Sequence, residues 1–118
     1  MEERLQQALE FANFRQTLNN QLQKLKIRSE GMLIYAEAGG KFTISRELIC
    51  SLDYLIREGH TDATLLDDNN SPIFIADTGD FLKKITTRYF EVTNDYLQES
   101  REIKKQRHTK SILNIKEE

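Results

Sequence analysis

Few residues in this chain have the chemistry for catalysis or metal binding. There are two histidines, His60 and His108. Neither has a Cys, His, Asp or Glu beside it at the helical spacing a zinc site uses. His60 follows Gly59 in what reads as a helix exit, so its neighbour Asp62 reads as turn chemistry. Cys50 is the single cysteine, which excludes an intramolecular disulfide. It falls between Ile49 and Leu52, where a buried thiol is expected, and no basic neighbour is placed to activate it as a nucleophile. Asp67, Asn69 and Ser71 match the first three ligand positions of a calcium loop. Pro72 then stands where that loop needs Gly, and Thr78 where it needs Glu. Gly40-Lys41 fails as a phosphate loop in the same way. Tyr35 occupies the first Gly position, and Phe42 replaces the Ser or Thr. Asn69-Asn70-Ser71 matches a glycosylation acceptor, but nothing else in the chain suggests secretion. The expectation is therefore no enzyme, with no catalytic residue, cofactor or metal.

The elements that would position these residues are legible. From about Glu2 to Arg28 there is no Gly or Pro, and good helix formers dominate. Phe11, Phe14, Leu18, Leu22 and Leu25 recur at steps of three and four, which predicts one helical face. Leu5, Ala8 and Leu9 read as its extension. Met32 to Ala36 and Phe42 to Ile44 flank a Gly39-Gly40 turn and predict a β-hairpin. Ser45 suits an N-cap, with Glu47 in the first turn. Leu48, Ile49, Leu52, Leu55 and Ile56 predict a short helix closed by Gly59. Ala63–Leu66 and Ile73–Ile75 around a run of turn formers predict a second hairpin, with Pro72 starting a strand. Asp77 or Thr78 then caps a last helix through Leu82, Ile85, Tyr89, Val92 and Tyr96 to about His108. The expected fold is α+β in the order α-ββ-α-ββ-α. A four-stranded antiparallel sheet would carry the helices on one face. One domain would span residues 1–108, with a short tail at 109–118.

Composition agrees with a small polar domain. The chain has 118 residues, 38% hydrophobic and 31% charged, with 17 Lys and Arg against 19 Asp and Glu. That balance excludes a strongly basic nucleic-acid binder. No stretch approaches the roughly 18 consecutive apolar residues of a membrane span, so no membrane contact is expected. The opening Met1-Glu2-Glu3-Arg4-Leu5 lacks the order of a signal peptide, which predicts an intracellular protein or one packaged from inside a cell. Each long helix would measure roughly 40 Å, longer than the roughly 35 Å diameter of a compact chain of this size. Such helices need partners for their apolar stripes. Phe11, Phe14, Leu18, Leu22, Leu25, Tyr89, Val92 and Tyr96 are the candidate interface.

Charge is uneven near the end. Arg101, Lys104, Lys105, Arg107 and Lys110 form a basic patch broken only by Glu102. It reads either as a solvated helix end or as a contact for nucleic acid or an acidic partner. The tail residues Ile112, Leu113 and Ile115 either fold back or form a docking peptide.

Four stretches resemble small proteins of T4-like tailed phages, particularly those of marine cyanobacteria. They are Leu9 to Asn19, Tyr35 to Phe42, and Leu66 to Asn69 with Arg88 to Tyr96. The resemblance implies a prohead core or internal scaffold component, present in the host cytoplasm during assembly or associated with the virion. Its partners would be other virion or prohead proteins, or further copies of itself, with no call for nucleic acid. It also implies cleavage by a prohead protease after Leu or Ile, any residue, then Glu. Glu58, Glu99 and Glu117 end such triplets here. Leu, Ile and Glu are so frequent that the triplets arise by chance as well. The alternative expectation is a phage-encoded regulator that binds a host protein or nucleic acid through the basic helix end.

Overall fold

The structure is a computed structural model; it describes residues 2–116, with side-chain surroundings for residues 2–106. The element order is α1 (Glu2–Met32), β1 (Ile34–Glu37), β2 (Gly40–Thr43), α2 (Arg46–Arg57), β3 (Ala63–Leu66), β4 (Pro72–Ile75) and α3 (Thr78–Lys116). The α+β order read from the sequence is the order found. By contacts the chain divides into two units. One holds Met1–Arg28 and Asp95–Glu118, and the other Ser29–Asn94.

The unit Ser29–Asn94 contains both hairpins, α2 and a six-residue core. Phe42, Ile44, Leu52, Ile75, Phe81 and Ile85 are buried together. Leu52 and Ile85 are wholly inaccessible. Phe81 stacks edge-on to Phe42 at 5.3 Å between ring centroids. Local chemistry sets the element ends. Ser45 has an extended backbone, and its hydroxyl accepts the Leu48 N–H at 3.1 Å, capping α2. At the other end Gly59 has φ +88°, the left-handed region that costs glycine nothing. Its N–H bonds the Ile56 carbonyl and the His60 N–H bonds the Leu55 carbonyl, which closes the helix. Ala38 and Gly39 both have positive φ, as a two-residue hairpin turn requires.

The four strands form two separate two-stranded antiparallel sheets, not the single four-stranded sheet expected. The reason lies at Asp67 and Asp68. In the β1–β2 ladder, Lys41 and Thr43 point their N–H groups away from β1. The Asp67 carboxylate accepts the Lys41 N–H at 3.3 Å, and the Asp68 carboxylate accepts the Thr43 N–H at 3.1 Å and its hydroxyl at 2.7 Å. The Asp68 N–H in turn bonds the Lys41 carbonyl at 2.8 Å. A loop corner thus satisfies the outer edge of β2, where a third strand would have paired.

In the unit Met1–Arg28 with Asp95–Glu118, α1 ends its share at Arg28 and α3 begins its share at Asp95. Arg28 and Glu99 form an ion pair at that level. The two helical segments therefore run antiparallel. The residues of α1 that lose exposure are Phe14, Leu18, Gln21, Leu22 and Leu25, with Leu25 buried. On α3 they are Tyr96, Glu99, Ser100 and Ile103. The last helix continues to Lys116, through the stretch expected to be a separate tail.

Candidate protein-contact surfaces

The expected interface residues divide by surroundings. Phe14, Leu18 and Leu22 are half-buried and Leu25 is buried. Tyr96 is half-buried, and Val92 is 3% exposed. Tyr89 packs against the six-residue core of the unit Ser29–Asn94. Phe11 is 60% exposed, with the Arg15 guanidinium 5.9 Å from its ring centre.

Leu5, Ala8 and Leu9 do not extend that stripe. All three are exposed, Leu5 at 67% and Leu9 at 58%. The helical repeat explains why. Leu9 and Leu18 are nine residues apart, and at about 100° per residue they lie on opposite sides of α1. Leu5, Ala8, Leu9 and Ala12 thus form a second apolar face on the first turns, turned away from the face that holds Leu18 and Leu25. Ile27, on the same side as Leu9 and 59% exposed, lies further along.

Arg101, Lys104 and Lys105 are exposed on α3; the side chains of Arg107 and Lys110 lie outside the described residues. The fold adds cations that the one-dimensional reading missed. Lys24, Lys26 and Arg28 are exposed on α1, and no acidic residue occurs between Phe11 and Ser29. The Arg28–Glu99 pair sets the two groups at one level of the antiparallel helices. Glu99 and Glu102 are the acids interspersed with them.

Of the three protease triplets, Glu58 is exposed at the C-cap of α2. Glu99 is half-buried within α3, and Glu117 is outside the described residues. The bond after Glu58 lies in the turn that closes α2, whereas the bond after Glu99 lies in helical backbone, where a protease would first have to unwind a turn. Cys50 is exposed on α2 beside Ser51, Tyr54 and Leu55, not buried as expected. The helix buries Leu52 and packs the half-buried Leu48 and Ile49 against the core, and Cys50 falls on its other side. Among the described residues no three His, Cys, Asp or Glu side chains converge as metal ligands. None of the described helices is long and apolar enough to cross a membrane.

The Asp67 loop, whose residues match the first positions of a calcium loop, is held by its own backbone. Its carboxylate is committed to its own backbone, accepting the Asn69 and Ser71 N–H groups at 2.9 Å each. The Ser71 N–H above all, with those of Lys41 and Asn69, holds the Asp67 carboxyl below its usual range against the cost of partial burial.

No known protein family, curated protein or solved structure matches the chain.

Proposed function

We propose that the chain is a non-enzymatic assembly protein of a phage particle, a prohead core or scaffold-like component acting through protein–protein contacts of its long helices. The observation that carries the contact part is the second apolar face of α1. Leu5 and Leu9 stay more than half exposed on a helix that already buries another face. Exposed large apolar residues grouped on one face mark contact surfaces. The phage setting rests on the resemblance of Leu9 to Asn19 and its companion stretches. In infected cells the chain should co-sediment with proheads. A folded chain that is absent from proheads at every stage overturns the phage reading.

A second reading gains from Lys24, Lys26 and Arg28. It is the regulator that binds a host protein or nucleic acid through the basic end of the helices. Its distinguishing result is a monomer retained on DNA at low salt and released at high salt.

A further inference from the structure

Within the unit Ser29–Asn94, β1 has an open edge. Ile34 stands opposite Thr43, and Ala36 opposite Lys41. Lys41 and Thr43 give their N–H groups to Asp67 and Asp68, away from β1. These two pairs therefore exchange no ladder hydrogen bonds, and Ile34 and Ala36 turn their own N–H and C=O groups outward. No third strand joins the sheet, and among the described residues these four groups have no hydrogen-bond partner. Sheets commonly protect such an edge with lysine, proline or a covering element. The Asp67–Asp68 corner covers β2, and Pro72 opens β4. Ile34-Tyr35-Ala36-Glu37 carries neither Lys nor Pro, and Ile34 and Ala36 are exposed.

The flank of α3 runs beside this edge. Arg88 donates to the Met32 carbonyl at 3.3 Å and lies 5.9 Å from the Tyr35 ring centre. One turn earlier, Lys84 pairs with Asp80 at 2.9 Å. Asp80 foremost, and Glu37 after it, hold the Lys84 pKa above its usual value, which sets Lys84 near the far end of β1. Strand and helix flank a groove of about 410 Å³, lined by Tyr35, Lys83, Lys84, Thr87 and Arg88 with Asp80 and Glu91. That is a common size for a ligand cleft. Lys83 is exposed, and no ion pair involves it among the described residues.

We propose that this groove takes an extended segment of a partner protein, which adds to β1 as a third strand and turns acidic side chains toward α3. A row of outward N–H and C=O groups is matched by another extended backbone. Side chains of the added strand alternate between two surroundings. One set lies over the exposed Ile34 and Ala36 and suits apolar residues. The other meets Lys83, Lys84 and Arg88. Asp80 is already paired with Lys84, and Glu91 lies nearly a turn beyond Arg88, so this set suits acids. A second copy fits less well. A twofold β1–β1 pairing would set the same cations of two α3 helices against each other on one side of one sheet. The site is separate from the exposed face of α1, and it stands whether or not that face associates.

The test is fluorescence anisotropy of a labelled peptide of alternating Val and Glu, about eight residues long as an ordinary strand is, titrated with the full chain. Binding should saturate. Two further peptides carry N-methyl groups, one on every Val and the other on every Glu. At least one should bind about tenfold more weakly or worse, Val if the added strand is antiparallel and Glu if it is parallel. Ala36→Pro removes one outward N–H and leaves the β1–β2 ladder intact, so it should weaken binding about tenfold as well. Lys83→Glu should weaken it several-fold, and a peptide of alternating Val and Lys should not bind. Circular dichroism melts check the fold of both variants, and the N-methylated peptides decide the matter without altering the protein. No saturation up to about 1 mM protein overturns the proposal. So does binding that neither N-methylation nor Ala36→Pro weakens, or equal binding of the Val and Lys peptide. A dimer of the chain alone that Ala36→Pro abolishes gives the edge to a second copy and overturns it too. Each of these results leaves the exposed face of α1 untouched.

Discussion

Asp67 and Asp68 turn the corner between the hairpins, and their carboxylates stand in for backbone that would otherwise pair with β2. Because backbone N–H groups favour the ionised form, the Asp67 pKa is lower in the folded chain than in the unfolded one. The stabilisation is therefore present in full above about pH 4, near the unfolded value, and is lost as pH falls through the lower folded value. Replacing Asp67 with Ala should lower the melting temperature at pH 7 and flatten the acid limb of the stability curve below that point. Melts from pH 2 to 7 check it; an unchanged acid limb would remove Asp67 from the account. Gly40 makes a second residue-scale case. A Cβ there would lie 2.5 Å from Ile73 Cγ1, so Gly40→Ala should cost about 1–3 kcal/mol in denaturant unfolding. Leu52→Ala, at a wholly buried position, should cost about 2–5 kcal/mol.

At the scale of elements, α1 carries two apolar faces, and substitutions should tell them apart. Leu25→Ala removes a buried side chain and should cost about 2–3 kcal/mol. Leu9→Ala, on the exposed face, should stay within about 0.5 kcal/mol. Equal losses at the two positions would contradict the assignment of faces. The cap of α2 is separable as well: Ser45→Ala should lose about 1 kcal/mol. The cap, the Gly39 turn and the Gly59 exit were readable because each rests on a residue type at a fixed offset from a periodic run. The separation of the hairpins was not. It depends on two carboxylates reaching backbone some 25 residues away, and no local pattern announces such a bond. The second face of α1 was missed for a different reason. Steps of three and four look continuous when taken one at a time, yet over nine residues the register slips by half a turn.

Across the whole molecule, the candidate contact surfaces became visible only once distant segments were placed together. The basic end of α3 could be seen in sequence. Its continuation in Lys24, Lys26 and Arg28 could not, because more than seventy residues separate those cations from Arg101 and only the Arg28–Glu99 pair sets them level. The central claim is that this chain acts by contacts with other protein chains through exposed faces of its helices. The most direct measurement is molar mass by light scattering across a concentration series, for wild type and for Leu5→Ser, Leu9→Ser. The account predicts a wild-type mass that rises above 13.8 kDa with concentration, and a variant with the same melting temperature whose mass rises less. A wild type that stays at the monomer mass throughout, or a variant that associates as fully as wild type, would contradict it.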